Sequence, residues 1–156
     1  MEKFKGKLNQ MNLIKKQFKI LFLMLVVLLS FTQPINAQDS EPTVDLYFFH
    51  GNGCPHCAEE EILLEEMTAK YGDRLVIHDY ELWDHPENIP VFEEFAKAFD
   101  FEPSGVPVTF IGNQYWVGYN AEKGVEIRAA IEKGMAEGVV DTRQIVDGNV
   151  SLTEPE

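Results

Sequence analysis

The stretch from residue 44 to residue 57 reads VDLYFFHGNGCPHC and holds both cysteines of this 156-residue chain, Cys54 and Cys57. Its first part, residues 44–49, is rich in β-branched and aromatic residues and ends at a cluster of turn formers, which predicts a buried strand. Pro55 suits the first position of a helix, because a proline there sacrifices no intrahelical hydrogen bond. We therefore expect the two cysteines at the start of a helix that directly follows a strand.

The residues after Cys57 predict an amphipathic helix, with apolar side chains at helical spacing and glutamates between them. The predicted apolar face consists of Ile62, Leu63, Leu64, Met67 and Tyr71, and the predicted polar face of Glu59, Glu60, Glu61, Glu65 and Glu66. At the beginning of such a helix, unpaired N–H groups and the positive end of the helix dipole favour a thiolate. The sulfur of Cys54 is expected to be the exposed one, with Cys57 one turn further inward.

The rest of the chain continues to alternate between strand and helix signals. These signals predict a strand at 74–82, a helix with the inward stripe Phe92, Phe95, Ala96 and Phe99, strands at 108–111 and 114–117, and a helix at 121–137 with Ile127, Ala130, Ile131 and Met135 inward. A parallel βαβ unit followed by an antiparallel hairpin and a closing helix predicts an α/β fold. Its four-stranded mixed sheet would carry helices on both faces.

Charge is distributed unevenly along the chain. Six lysines lie within the first 19 residues, whereas residues 38–156 carry 7 basic and 25 acidic side chains, a formal charge of 7 − 25 = −18. Phosphate backbones and anionic lipid would repel such a domain. Nucleic acid is therefore excluded as a partner.

The first 37 residues match the pattern of a secretory signal peptide. Their uncharged run ILFLMLVVLLSF, residues 20–31, is too short for a membrane span of about 20 residues but suits a signal core of about 7–15. We expect cleavage after Ala37; an uncleaved membrane anchor is the alternative, and Met11 is a second candidate start. The sequence thus predicts a signal peptide at 1–37, a domain at 38–137, a polar tail at 138–156, and a periplasmic or extracellular location.

Three readings of the cysteine pair remain open at this point. A disulfide across two intervening residues removes little entropy from the unfolded chain, so a purely structural bridge is disfavoured. A copper or zinc binding module would use Cys54, Cys57 and a nearby histidine, and His50, His56 and His85 are the candidates, without a second paired motif. The third reading is redox exchange, in which Cys54 attacks and Cys57 resolves the mixed disulfide.

A strand, Cys-Pro-His-Cys at a helix start, and Val106-Pro107 just before a hairpin together resemble the thioredoxin superfamily over about residues 43–137. The resemblance implies a minimal thioredoxin-like fold, in the order β-α-β-α-β-β-α, and disulfide exchange with protein substrates. It also implies that Pro107 is cis and faces the disulfide, and that Val106 offers its backbone to an extended substrate. The Pro55-His56 dipeptide resembles the Dsb-type periplasmic oxidases, whose large helical insertion has no counterpart here.

This resemblance also implies how the protein is expected to work. Its partners would be protein thiols and disulfides together with a membrane redox partner, and its only cofactor would be the redox-active Cys54-Cys57 disulfide. The protein is expected to act as a monomer. His56 is expected to stabilise the Cys54 thiolate, which favours the oxidase direction without fixing it.

Two expectations concern the surroundings of the cysteines. Trp83 lies in the loop after the second predicted strand, at the sheet end that carries Cys54, where an indole could line a substrate groove. Members of the resembled family often carry a buried carboxylate on the first strand, beneath the cysteines. In this chain the corresponding stretch is Tyr47-Phe48-Phe49. A different proton acceptor, or water, must therefore serve Cys57.

Overall fold

The structure, a computed structural model, describes Lys19 and residues 41–152 of the chain. Residues 41–152 belong to Ser40–Glu156, the second of two units into which the chain divides. The predicted signal peptide lies outside the described residues, apart from Lys19. Among the helices that are described, none has the length and apolar content needed to cross a membrane.

The secondary structure follows the predicted alternation and adds a short helix near the carboxyl end. It also has short 3₁₀ turns at Gly72–Arg74 and Pro86–Asn88. The predicted bounds of both hairpin strands and of the long last helix are confirmed. The elements are β1 (Val44–His50), α1 (Pro55–Tyr71), β2 (Leu75–Glu81), α2 (Ile89–Ala98), β3 (Val108–Ile111), β4 (Gln114–Val117), α3 (Ala121–Glu137) and α4 (Thr142–Val146).

The four strands form one mixed sheet in the order β2-β1-β3-β4. β1 runs parallel to β2 and antiparallel to β3, and β3 and β4 form an antiparallel hairpin. The predicted α/β class and mixed sheet are therefore confirmed. Because β1 and β3 are antiparallel, the last residues of β1 and the first residues of β3 lie at the same end of the sheet. The cysteine loop, residues 51–54, lies near Pro107 at this end.

Alternate side chains of β1 enter two separate cores, as the pleat of a strand requires. Leu46 and Phe48 pack with residues of α1 and α3, whereas Tyr47 and Phe49 pack with residues of α2 and α4. Helices therefore cover both faces of the sheet. The second core is largely aromatic, and its central rings belong to Phe49, Phe92, Phe95, Phe99 and Phe110.

The buried face of α1 differs from the predicted one at two positions. Ile62, predicted to face the core, is 68% exposed, whereas Glu60, predicted to face solvent, is 1% exposed. Cys57 marks the buried face of the helix. Glu60, Leu64 and Met67 follow it on that face at successive steps of three, four and three residues. That spacing keeps side chains on one side of a helix, and Ile62 falls outside it. The predicted placement of Glu60 and Ile62 is therefore wrong.

Residues 138–152, which composition assigned to a polar tail, include helix α4. Its Thr142 and Ile145 are buried, and Ile145 belongs to the aromatic core. Asp141 caps the helix by accepting the Arg143 N–H at 2.9 Å, and it also accepts the Tyr47 hydroxyl at 2.8 Å. The carboxyl-terminal segment thus closes the second core over β1.

Candidate active site

Cys54 and Cys57 are joined by a disulfide at the beginning of α1, with their Cα atoms 5.3 Å apart. Cys54 is the N-cap residue, and Pro55 occupies the start of the helix. The Cys57 N–H donates a hydrogen bond to the Cys54 Sγ at 3.2 Å. A disulfide at this spacing and in this place fits a redox-active disulfide.

The two cysteines differ in accessibility and in electrostatic surroundings. Cys54 is 7% exposed and Cys57 is 1% exposed, so Cys54 is the more accessible of the two from solvent. The first turn of α1 carries no acidic side chain. Its N–H groups and helix dipole therefore act on Cys54 without competition from a carboxylate in that turn, and both stabilise a thiolate.

Pro107 and Val106 form the other wall of the site. The Val106-Pro107 peptide bond is cis, as predicted. Pro107 is buried and Val106 is half-buried. The Val106 carbonyl oxygen lies 3.8 Å from the Cys54 Sγ, whereas the Pro107 carbonyl accepts the Gly118 N–H at 2.7 Å. The structure therefore brings the predicted backbone position against the disulfide.

Trp83 lies against the loop that leads into the cysteines, at the predicted end of the sheet. Its indole covers Gly51 so closely that a Cβ atom at residue 51 would collide with the ring. The Gly51 carbonyl in turn accepts the Cys54 N–H at 3.1 Å. With 57% of its surface exposed, Trp83 offers an indole face to solvent beside the disulfide loop.

Glu81, a residue that the sequence analysis did not single out, holds the Trp83 loop and the cysteine loop together. Its carboxylate accepts four backbone N–H groups, from Asn52 at 2.9 Å, Trp83 at 3.0 Å, Asp84 at 2.7 Å and His85 at 3.0 Å. Burial alone would raise the pKa of Glu81, but the hydrogen bonds from these four N–H groups outweigh it and lower the pKa. We call this arrangement the Glu81 clasp.

Replacing Glu81 with glutamine is expected to lower the stability of the protein at neutral pH. A carboxamide has one acceptor oxygen in place of two and carries no charge. Because the folded pKa lies below the ordinary value of about 4.3, the contribution of Glu81 is present above that value and is lost as the pH falls through the folded pKa. The unfolding temperatures of the wild type and of Glu81→Gln, measured from neutral to strongly acid pH, should therefore converge as the pH falls. Glu93→Gln, at an exposed residue of α2, is the matched control and should show no such effect.

A carboxylate lies close to each of the three candidate histidines, His50, His56 and His85. His56 is exposed and lies 3.5 Å from Glu59, and His85 lies 2.9 Å from Glu87. His50 stacks on Phe48 and lies 2.6 Å from Asp79 and 3.6 Å from Glu61, counted between nitrogen and oxygen atoms. Within the described part of the chain, no three His, Cys, Asp or Glu side chains are placed so that they could hold a metal ion. The contact that His56 makes is therefore with Glu59, on the solvent side of the helix.

Glu60 is the second residue that the sequence analysis missed. It lies one helical turn after Cys57 on the same buried face, and its Oε1 accepts a hydrogen bond from the Thr109 hydroxyl of β3. Burial raises the pKa of Glu60 to about 7, against smaller lowering effects of the Thr109 hydrogen bond and of the Lys123 charge. The spacing of three residues from Cys57 was the signal that could have identified it.

No protein-family model and no curated protein matches this chain. Its class is therefore defined by its own fold and site. The protein is an α/β domain, compatible with a thioredoxin-like fold, that carries a Cys-x-x-Cys disulfide at a helix start beside a cis-proline.

Proposed function

We propose that this protein is an exported thiol:disulfide oxidoreductase that exchanges disulfides with protein substrates through Cys54 and Cys57. The observation that carries the proposal is the disulfide at the N-cap of α1, with the more accessible cysteine 3.8 Å from the Val106 carbonyl oxygen. An extended substrate segment that lay along Val106 would bring its own sulfur to Cys54. Pro107 follows Val106 and has no N–H group, so it places no backbone N–H beside the sulfur atoms.

The exchange proceeds in two balanced steps. A substrate thiolate attacks the Cys54 Sγ, the Cys54-Cys57 bond breaks, and the electron pair of that bond leaves on the Cys57 sulfur. A second substrate thiolate then attacks the substrate sulfur of the mixed disulfide and releases Cys54 as a thiolate. The substrate loses two electrons and the cysteine pair gains them. In the opposite direction the Cys54 thiolate attacks a substrate disulfide, and Cys57 resolves the intermediate.

The cellular setting is part of the same proposal. A periplasmic or extracellular protein would meet substrates that form disulfides, and a membrane redox partner would return the cysteine pair to its working state. The cysteine pair itself serves as the cofactor, and one copy of the chain contains the whole site. Trp83, exposed beside the disulfide loop, would contact the substrate chain.

The proposal is tested by insulin reduction and by redox equilibration with glutathione. We expect the metal-free protein to accelerate the reduction of insulin disulfides by dithiothreitol, and the glutathione equilibrium to give its reduction potential. An inactive protein that retains stoichiometric copper or zinc after purification would instead support the metal-binding module, with Cys54, Cys57 and a histidine as ligands. An inactive protein that retains no metal would indicate a noncatalytic domain of the same fold.

The dipeptide between the cysteines is expected to tune the direction of exchange. The double substitution Pro55→Gly and His56→Pro removes the imidazole and should raise the Cys54 pKa, because less positive charge then stabilises the thiolate. The couple should become more reducing by tens of millivolts, a scale on which about 30 mV is a tenfold change in the equilibrium. Thiolate absorbance against pH and equilibration with glutathione measure the two quantities.

His85→Gln is the matched control, because His85 is also exposed and also paired with a glutamate. It should leave both the Cys54 pKa and the reduction potential unchanged. The fold should tolerate the double substitution, since both residues lie in the exposed first turn of α1. An unaltered Cys54 pKa and potential in the double variant would show that His56 is a bystander and would remove the main support for the oxidase direction.

A further inference from the structure

We propose that the Glu60 carboxyl group is the proton donor and acceptor for Cys57 during disulfide exchange. The inference rests on the proposed function, since it assigns a step to the same cysteine pair. It gives a role to a buried acidic side chain in the core that surrounds the disulfide. It also supplies the proton acceptor that the sequence of β1 does not provide.

The geometry places Glu60 next to Cys57. The two residues are three apart on the buried face of α1, a spacing that puts Cβ atoms about 5–6 Å apart. Each is 1% exposed, so bulk water reaches neither side chain readily. A thiolate that forms on Cys57 must therefore take its proton from a neighbouring protein group or from a water that enters the site.

Thr109 orients the Glu60 carboxyl group from the opposite wall. Its hydroxyl donates to the Glu60 Oε1, and it lies two residues after the cis-proline Pro107. Across the sheet Thr109 pairs with Phe48, which occupies the first-strand stretch where the resembled family often has its carboxylate. Glu60 thus reaches this region of the core from the helix.

The surroundings of Glu60 allow both of its protonation states. Within residues 41–152, Thr109 is its hydrogen-bond partner. Lys123 of α3 lowers its pKa from a greater distance, and the ammonium of Lys123 donates to the Val117 carbonyl. Burial raises the pKa of Tyr119, and the negative charge of Glu60 raises it further. A pKa of about 7 for Glu60 means that it can both give and take a proton near neutral pH.

The proton transfers balance the electron transfers of the exchange. When an incoming thiolate breaks the Cys54-Cys57 bond, the electron pair leaves on Cys57, which takes the proton of the neutral Glu60 carboxyl group. In the opposite direction the Glu60 carboxylate takes the proton of the Cys57 thiol. The Cys57 thiolate then attacks the Cys54 sulfur of a mixed disulfide, and the other partner leaves as a thiolate.

The test follows this resolving step in the protein reacted with oxidised glutathione. In the wild type, the rate at which Cys57 displaces glutathione from Cys54 should rise as the pH passes through about 7, where Glu60 becomes a carboxylate. Glu60→Gln should lose this inflection and slow the step by about 100-fold at neutral pH, the lower range for a lost general base. The initial attack of Cys54 on glutathione should be unchanged. Glu65→Gln, at an exposed residue of the same helix, is the matched control and should keep the wild-type profile.

Stability separates this role from a structural one. A buried carboxylate is costly above its pKa, so Glu60→Gln should unfold at a temperature equal to or higher than that of the wild type above neutral pH. A variant that folds at least as well but resolves more slowly cannot be explained by lost packing. If Glu60→Gln were instead less stable and kept the wild-type pH profile, Glu60 would be a structural residue.

Thr109→Val keeps Glu60 and removes only the hydrogen bond that lowers its pKa. The inflection in the resolving rate should move to higher pH, and an unmoved inflection would contradict the inference even if Glu60→Gln failed to fold. A wild-type protein that exchanges with neither glutathione nor insulin would overturn the proposed function itself. Exchange that proceeds with the same pH profile in both variants would overturn only the role of Glu60.

Discussion

Replacing Cys57 with alanine is expected to convert the protein into a trap that accumulates mixed disulfides at Cys54. Cys54 is the more accessible cysteine and keeps the helix N–H groups that stabilise its thiolate, so it can still attack a substrate disulfide. Without Cys57 nothing in the chain resolves the intermediate, because the protein has only these two cysteines. Nonreducing electrophoresis after alkylation should show the adducts, and mass spectrometry should locate them at Cys54.

Cys54→Ala is the complementary variant, and its loss of activity should be on the order of 10³-fold or more, the scale that follows removal of a nucleophile. Cys57 is almost fully buried, so few mixed disulfides should form there. The double variant should form none and serves as the blank. Adducts at Cys57 in the Cys54→Ala protein, as abundant as those at Cys54 in the Cys57→Ala protein, would reverse the assigned roles.

The second large effect concerns the packing of α1. Leu64→Ala should lower the free energy of unfolding by about 2–5 kcal/mol, because Leu64 is 4% exposed and its removal leaves a cavity in the core around the disulfide. Ile62→Ala should change it by no more than about 0.5 kcal/mol, because Ile62 is 68% exposed. Urea denaturation of the oxidised protein measures both values.

These two substitutions form a matched pair, since both shorten an aliphatic side chain on the same helix. Alanine is also the better helix former, so Ile62→Ala has a small compensating gain. Equal losses at residues 62 and 64 would mean that α1 turns the face predicted from its apolar residues toward the sheet. That result would also expose Glu60 and remove the basis for its assigned role.

Local signals were sufficient wherever a segment is defined by its own residues. Pro55 begins α1 as predicted, and the strands on either side of Gly112 and Asn113 have the predicted bounds. Gly112 has a positive φ of 58°, which glycine adopts without strain, so the turn is encoded where it occurs. The mixed sheet followed because a parallel βαβ unit and a hairpin leave few other arrangements.

Long-range contacts explain what the sequence did not reveal. Glu81 meets the N–H of Asn52, 29 residues earlier, and Tyr47 meets Asp141, 94 residues later. No periodicity within a single segment reports such a contact. The burial of Glu60 is a different case, because its spacing from Cys57 was visible. Glutamate is usually a surface residue, which led to the wrong prediction for Glu60. The position of Cys57 indicates the buried face of α1 correctly.

The Glu81 clasp has a consequence for how a bound polypeptide would be accommodated. One carboxylate holds backbone N–H groups of both the cysteine loop and the Trp83 loop, so these two loops are tied to each other beside the disulfide. A preorganised surface loses little conformational entropy of its own when it binds a partner. The bound polypeptide must then make most of the conformational adjustment. If the protein exchanges disulfides as proposed, substrate chains that are still unfolded, and therefore able to adapt, would fit against these tied loops more readily than chains whose disulfides are already buried in a finished fold.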